Sequence, residues 1–254
     1  MSRIIVKVGS AVLTQDGSIA LDRMQALVKF IVELKEQYDV ILVSSGAVAA
    51  GYTKLQLDRT IIANRQALAA IGQPILMDLY SKKFDKYNII VSQLLVTSAN
   101  FKTYAQYSHV ADNIEALLKA NILPIINEND TTATQELIFG DNDQLSAEVT
   151  IHTDSDMLII LSDIDAYYDS DPRKNSDAKV LKIVNKITRA ELEKNVTPNS
   201  EFATGGIVTK LQAADLLLQH QKSMFLSSGF DLSDIKSYMF DSQHKGGTLF
   251  KASR

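Results

Sequence analysis

Short runs of apolar residues alternate along the chain with longer segments in which apolar positions recur every three or four residues. Five runs predict buried strands, because they are rich in Ile and Val and are bounded by polar or turn residues: 4–8, 40–43, 89–96, 122–126 and 157–161. Such near-continuous apolarity is typical of parallel strands covered on both faces. Three longer segments predict helices: 21–38, about 59–84 and 110–120. The alternation predicts an α/β fold, a three-layer αβα sandwich around a mainly parallel central sheet.

The remaining segments are shorter and more polar. Residues 143–152 and 206–220 predict helices, and 224–227 and 248–250 predict short strands. Residues 136–141 predict a short strand ending in a turn, and residues 168–180 predict a loop. The length allows one large α/β domain or two small ones. The chain has no internal repeat, and we expect a single domain over residues 1–254.

The composition is that of an ordinary soluble globular protein, with 46% hydrophobic and 22% charged residues. The net charge of −4 argues against a dedicated nucleic-acid-binding protein, which normally has a basic face. The absence of cysteine excludes disulfides, thiolate catalysis and cysteine-ligated zinc. No window reaches the ~18 apolar residues of a membrane helix, and the N-terminal apolar stretch is too short for a signal peptide. We therefore expect a cytoplasmic protein with neither nucleic-acid nor membrane partners.

Two lysines with glycine neighbours stand near opposite ends of the chain. Lys7 ends the first predicted strand and is followed by Gly9 and Ser10, and Lys210 opens a predicted helix after a pair of glycines. Glycine lets backbone N–H groups approach a phosphate, and lysine supplies a compact cation. Either lysine could also be an ordinary surface residue. Together they favour phosphoryl transfer.

Familiar phosphate signatures do not fit this sequence. Gly46 and Gly51 have the spacing of a P-loop, but Tyr52 and Thr53 stand where that motif has Lys and Ser or Thr. The dinucleotide fingerprint GxGxxG does not occur, and the four histidines are scattered without ligand spacing. The serines and small residues at 44–47 follow a predicted strand, where a ligand crevice is expected. Tight helix–sheet packing by Ala and Gly is the alternative interpretation.

Two clusters of carboxylates and amides lie about ten residues apart in the middle of the chain. One is Asn-Glu-Asn-Asp at 127–130, directly after a predicted strand, and the other is Gly-Asp-Asn-Asp at 140–143. Each alone could be an ordinary polar loop or helix start. Amides can donate to a carboxylate, and Asp can accept from an ammonium group. The mixture therefore favours a zwitterionic amino acid as the acceptor.

Taken together, these residues and their order resemble those of the amino acid kinase family. The matching segments occur in family order and span nearly the whole chain: 6–10, 43–51, 126–130, 140–147 and 204–214. Within that family, the two acidic-amide clusters together are similar to those of the members that phosphorylate L-glutamate. The resemblance implies ATP-dependent phosphorylation of the L-glutamate γ-carboxylate to γ-glutamyl phosphate, the first step of proline biosynthesis. It also implies that the N-terminal part binds mainly glutamate and the part from about residue 155 mainly the nucleotide.

The resemblance implies a role for individual residues. The catalytic residues would be Lys7, Lys210 and Asp143, with the lysines stabilising the transferred phosphoryl group and the carboxylate holding them in place. Glutamate would be bound by Ser45, Gly46, Ala47, Asn127, Asp130, Asp141 and Asn142. The nucleotide would be bound by Lys7, Gly9, Ser10, Ser162, Asp163, Thr204, Gly205, Gly206, Ile207, Val208, Thr209 and Lys210. Mg²⁺ would bridge the ATP phosphates, and the resemblance does not identify protein ligands for this ion.

Some family features differ or stay open. Ser162 stands where the family usually has Thr, Ala166 and Ala203 where it usually has Gly, and Ala11 where Ser is frequent. Many relatives carry a C-terminal PUA domain, which we expect to be missing here. The resemblance makes proline a possible feedback inhibitor and glutamate-5-semialdehyde dehydrogenase a possible channelling partner.

Two other kinds of function remain as alternatives. One is a family member acting on N-acetylglutamate, aspartate, carbamate or UMP, and the other is a non-catalytic amino-acid sensor. The predicted helix 59–84 is apolar over much of its circumference, which favours a homo-oligomer.

Overall fold

The computed structural model describes residues 2–132, 142–193 and 206–252. The strands are β1 Arg3–Val8, β2 Thr14–Gln15, β3 Ser18–Ile19, β4 Asp39–Ser44, β5 Val91–Val96, β6 Leu123–Glu128, β7 Met157–Ser162, β8 Ile183–Val184, β9 Ser223–Ser228 and β10 Thr248–Phe250. The α-helices are α1 Ser10–Leu13, α2 Leu21–Lys35, α3 Ala47–Tyr52, α4 Ile62–Phe84, α5 Tyr104–Lys119, α6 Asn142–His152, α7 Arg189–Leu192, α8 Ile207–Gln219 and α9 Ser233–Phe240. Short 3₁₀ helices cover Asp85–Tyr87 and Ser98–Phe101.

The described strands form one eight-stranded sheet in the order β5-β6-β4-β1-β7-β9-β10-β8, with β2 and β3 as a separate hairpin. The pairs from β5 through β9 are parallel, and β10 runs antiparallel to β9. Helices cover both faces, so the predicted αβα sandwich with a mainly parallel sheet is confirmed. No helix among residues 2–132, 142–193 and 206–252 is long and apolar enough to span a membrane.

Alternate residues of each central strand enter two cores, one on each face of the sheet. In β1, Ile4, Val6 and Val8 pack with α2, α4 and α9, whereas Ile5 packs with α5, α6 and α8. Side chains alternate between faces along a strand, so Lys7 shares the face of Ile5 and points toward α6 and α8. The alternation of side chains along β1 therefore decides which helices Lys7 meets.

Several predicted boundaries differ from the structure. The strand predicted at 89–96 begins at Val91, because Asn88 adopts a left-handed conformation with φ 56° after the 3₁₀ turn. The helix predicted at 110–120 begins six residues earlier, after Thr103 in an extended conformation. The strand and turn predicted at 136–141 lie outside the described residues. The hairpin β2-β3 was not predicted, although Asp16 and Gly17 carry its usual turn signal and both have positive φ.

Glycines set the close crossing of α3 and α4. A Cβ atom added at Gly72 would lie 1.8 Å from the carbonyl oxygen of Ala47, and one at Gly51 would lie 1.9 Å from that of Leu68. Any side chain at either position would therefore force the two helices apart. This contact brings the middle of α4, including Gln73, beside the carboxyl end of the sheet.

Candidate active site

The polar residues singled out in the sequence gather where the central strands end. Lys7 is the penultimate residue of β1, Ser45 follows β4, and Asn127 is the penultimate residue of β6. These strands are adjacent and parallel, so their carboxyl ends open on the same edge of the sheet. Ser162 ends β7 at the same edge. The fold thus unites segments more than a hundred residues apart.

Asp143 lies between two lysines at the centre of the site. Lys7 Nζ contacts Asp143 Oδ1, and Lys210 Nζ lies 3.2 Å from Asp143 Oδ2. All three side chains are buried, and Asp143 is fully so. Burying charge is costly unless opposite charges and hydrogen bonds compensate it, so the carboxylate is what allows two ammonium groups to meet here. These two cations and one anion together carry one net positive charge.

The first turn of α8 fixes the second lysine. Thr209 Oγ1 lies 3.0 Å from Asp143 Oδ2 and 2.9 Å from the carbonyl oxygen of Gly206. Thr209 was predicted on the nucleotide side, and the structure adds this contact to the central carboxylate. Gly206 is the N-cap residue of α8, and an added Cβ atom would meet no atom of the described residues within 4 Å.

A second group of the residues singled out in the sequence meets at the start of α6. Asn142 Nδ2 lies 2.9 Å from Ser45 Oγ and 2.9 Å from Asn127 Oδ1. Asn142 begins α6, directly before Asp143, so one helix start serves both groups. Gly46 has φ 110°, a conformation that favours glycine, and it turns the chain from β4 into α3 at buried Ala47.

Asp130 lies two residues beyond β6 in a partly buried position. Desolvation raises the pKa of its carboxyl group to about 6, and the nearby Arg65 guanidinium opposes the rise. A partly buried carboxylate at such a position gains from a cationic ligand, because the ligand would offset its desolvation.

The predicted nucleotide residues that the structure describes lie around the ends of β1 and β7. The backbone N–H of Gly9 donates to the carbonyl oxygen of Leu161 at 3.0 Å, which holds the turn after Lys7. Ser162 Oγ donates to Asp163 Oδ1 at 2.9 Å. Ser10 begins α1, and Ile207 and Val208 form the first turn of α8. Asp141, Thr204 and Gly205 lie outside the described residues.

Three residues near the site were not found from the sequence. Gln73 Oε1 accepts from Asn127 Nδ2 at 2.9 Å, and Gln73 Nε2 donates to Gln93 Oε1 at 3.1 Å. Arg65 acts on the charge of Asp130. For Gln73, the available signal was a glutamine in an otherwise apolar stretch of a long helix. Pattern analysis alone assigns such a glutamine to the surface.

Comparison with known proteins gives a consistent result. The sequence matches the amino acid kinase family over residues 2–227. It is 51% identical to a glutamate 5-kinase from Wolinella succinogenes, with 98% of each chain covered. It is 46% identical to a glutamate 5-kinase from Leishmania donovani, over 98% of this chain and 95% of the relative. The chain therefore belongs to the amino acid kinase family.

A solved structure supports the fold independently of sequence. UMP kinase from Ureaplasma parvum superposes with a TM-score of 0.65 at 17% sequence identity, with 98% of each chain covered. At that identity the likeness concerns the fold alone.

Proposed function

We propose that this protein transfers the γ-phosphoryl group of ATP to the γ-carboxylate of L-glutamate, giving γ-glutamyl phosphate and ADP. This reaction is the first step of proline biosynthesis. The proposal combines the near full-length similarity to glutamate 5-kinases with the chemistry of the site. The observation that carries it is the buried Lys7-Asp143-Lys210 arrangement beside a cluster of amides.

The chemistry needs cations more than it needs a base. The acceptor carboxyl group is already ionised at pH 7, so no proton has to be removed. A carboxylate oxygen forms a bond to the γ-phosphorus while the bond from phosphorus to the β-γ bridging oxygen breaks, and ADP leaves with the electron pair. The obstacle is the approach of two anions. In our proposal Lys7 and Lys210 offset that repulsion, and Asp143 fixes their positions before the substrates arrive.

The two substrates are assigned to the two sides of this centre. Glutamate is held by Ser45, Gly46, Ala47, Asn127, Asp130, Asp141 and Asn142, with Asp130 facing its ammonium group. The nucleotide is held by Gly9, Ser10, Ser162, Asp163 and residues 204–210. In this proposal residues 1–254 act as one kinase domain, divided near residue 155 between the two substrates.

Magnesium is proposed as a companion of ATP. Among residues 2–132, 142–193 and 206–252, no three or more His, Cys, Asp or Glu side chains form a group able to hold a metal ion. Asp143 is already engaged by both lysines. Mg²⁺ commonly binds through substrate phosphates and few protein carboxylates, and the site is compatible with that mode.

The same proposal includes a cytoplasmic location, a homo-oligomer, inhibition by proline and channelling to glutamate-5-semialdehyde dehydrogenase. Other acceptors of the family, and a non-catalytic sensor, are less well supported, since the near full-length relatives are glutamate 5-kinases.

Trapping the product with hydroxylamine tests the function directly. Purified protein, ATP, Mg²⁺ and L-glutamate should form γ-glutamyl hydroxamate, while aspartate, N-acetylglutamate, carbamate and UMP tested in parallel for ATP consumption should give little turnover. An amino-acid sensor would bind glutamate without releasing ADP. A clear preference for another acceptor would refute the assignment of glutamate.

A further inference from the structure

A chain of amide side chains runs from the edge of the sheet into the acceptor side of the site. Gln73 Nε2 donates to Gln93 Oε1 at 3.1 Å, and Asn127 Nδ2 donates to Gln73 Oε1 at 2.9 Å. Asn142 Nδ2 donates in turn to Asn127 Oδ1 at 2.9 Å. Gln73, Asn127 and Asn142 are buried, whereas Gln93 on β5 is exposed. We call Gln93, Gln73, Asn127 and Asn142 the amide relay.

The direction of the relay is fixed at Asn127. The backbone N–H of Glu128 donates to Asn127 Oδ1 at 2.8 Å. An N–H group needs an acceptor, so the oxygen of the Asn127 amide must face it and the NH₂ group must face away. That NH₂ group points to Gln73, which has to present its own carbonyl oxygen. Gln73 thereby satisfies a donor that would otherwise be buried without a partner, at a cost in free energy.

The consequence appears at the far end, on Asn142. Since Asn127 presents an oxygen, Asn142 must turn its NH₂ group toward it, and the carbonyl oxygen of Ser44 at 3.3 Å and Ser45 Oγ at 2.9 Å hold the NH₂ group in the same orientation. Asn142 Oδ1 therefore faces another way, and it is buried with no hydrogen-bond partner among the described residues. A buried carbonyl oxygen without a donor is costly, and a ligand that brings an N–H group would relieve that cost. In an α-amino acid the matching donor is the ammonium group.

We propose that Gln73 is a positioning residue, which acts through Asn127 to hold Asn142 Oδ1 as the acceptor for the α-ammonium group of the substrate. The inference rests on the proposed function, because it assumes an amino-acid acceptor. Gln73 touches no reacting atom. Through Gln73, a residue of α4 determines how strongly the site prefers an α-amino acid to a dicarboxylate that has no amino group.

The test replaces Gln73 by a side chain of similar shape that makes no amide hydrogen bonds. Gln73→Met should raise the KM for glutamate about tenfold, because Asn127, whose buried NH₂ group loses its acceptor, would shift and take Asn142 Oδ1 out of position for the ammonium group. The kcat and the KM for ATP should change by less than about twofold. Glutarate has the same two carboxylates but no ammonium group, so its inhibition constant should change much less than the KM for glutamate.

Two variants serve as controls. Gln73→Glu keeps an acceptor for Asn127, and the exposed Gln93 can turn its amide to donate, so its KM for glutamate should lie closer to wild type than that of Gln73→Met. Gln25→Met removes another amide that joins two segments: Gln25 Nε2 lies 3.4 Å from the Tyr87 hydroxyl, and Gln25 Oε1 accepts from Lys83 at 3.3 Å. Both links are remote from the relay, and this variant should leave the KM for glutamate unchanged.

The outcomes separate this inference from the proposed function. An unchanged KM in Gln73→Met, or an equal loss for glutamate and glutarate, would overturn the positioning role while the kinase activity stood. Wild-type protein that forms no hydroxamate from glutamate would overturn the function and the inference with it. Should Gln73→Met fail to fold, Gln73→Asn makes the same test, since its amide is one methylene too short to reach both neighbours.

Discussion

At the residue scale, charge at this site is organised around one carboxylate. Asp143 has no exposed surface, and its two oxygens are divided between Lys7 and Lys210. Each oxygen thus holds one cation in a fixed place, and under the proposed reaction little reorganisation would be needed when charge develops on a phosphoryl group. The arrangement also protects the fold, because a lone buried ammonium group would be strongly destabilising.

Removing one cation should slow the chemical step more than it weakens binding. Lys210→Ala leaves Asp143 paired with Lys7, so we expect a folded protein. Loss of a single preorganised electrostatic contact typically lowers kcat by ~10²–10³. Steady-state kinetics should show that loss with little change in the KM for glutamate. Lys222→Ala, which breaks an ion pair with the highly exposed Asp154, is the control and should be fully active. Near-normal turnover of Lys210→Ala would remove this lysine from the mechanism.

Asp130 should show opposite effects on stability and on binding. Desolvation raises the pKa of its carboxyl group to about 6, above the ordinary value, so the folded state disfavours the charged form. That penalty is absent below about pH 4, grows up to about pH 6 and is constant above it. Asp130→Asn should therefore unfold at a higher temperature than wild type at pH 8, by an amount equivalent to ~1–2 kcal/mol after allowance for partial exposure. At pH 4 the two proteins should unfold alike.

The same substitution should weaken glutamate binding, because an amide cannot pair with an ammonium group as a carboxylate does. We expect the KM for glutamate to rise about 30-fold or more, with the KM for ATP nearly unchanged. In wild type the KM for glutamate should also rise as the pH falls through 6, and this dependence should vanish in Asp130→Asn. Equal effects on both substrates would contradict the assignment of Asp130 to the acceptor.

At the scale of elements, the central sheet was the most predictable part of the molecule. The strands β1, β4, β6 and β7 are apolar on both faces, so their runs were visible without knowledge of their neighbours. The hairpin β2-β3 has two residues in each strand, too few for any alternation to be detected. The helix start at Tyr104 was missed because residues 104–109 contain no Ile, Leu, Val, Met or Phe to mark an apolar face.

The candidate site residues that could be predicted from the sequence are those next to predictable strands and helices. Lys7, Asn127 and Asp143 could be singled out as candidates because each stands beside a strand or helix boundary that the pattern marks. The amide relay could not be found, since Gln73 meets Asn127 only through a tertiary contact between residues 54 positions apart. Gly72, the residue before Gln73, permits the close approach of α4 to α3.

The crossing of α3 and α4 should be intolerant of a single methyl group. In Gly72→Ala the new Cβ atom would lie 1.8 Å from the carbonyl oxygen of Ala47, so the helices must separate. Overpacking typically costs ~1–3 kcal/mol, and contact with rigid backbone favours the upper end. We expect thermal unfolding at a temperature lower by roughly 5–10 °C, together with a higher KM for glutamate. Ala70→Ser, at an exposed position of the same helix, should behave as wild type. A normal unfolding temperature for Gly72→Ala would show that the crossing adapts easily.

At the scale of the whole molecule, several large apolar side chains are exposed at one end of the sheet. On and just before α4, Ile61 is 51% exposed, Ile62 37% and Ile71 36%. The neighbouring β5 is an edge strand of the main sheet, and its Leu95 is 37% exposed. Apolar helix faces and open strand edges are commonly covered by another protein surface. A second copy of the chain is the simplest partner, in line with the oligomer expected from the sequence.

Light scattering at micromolar concentration should therefore give a mass of at least twice the 28.0 kDa of the single chain. Ile71→Glu places a charge in the middle of the exposed face of α4 and should shift the mass toward that of the monomer, because a buried unpaired carboxylate is costly. Leu21→Glu alters a residue of similar exposure on α2 and should leave the assembly intact. Activity measured on the same samples separates assembly from chemistry, since the site described above is built from one chain. A fully active wild-type monomer would rule out the oligomer while leaving the kinase assignment in place.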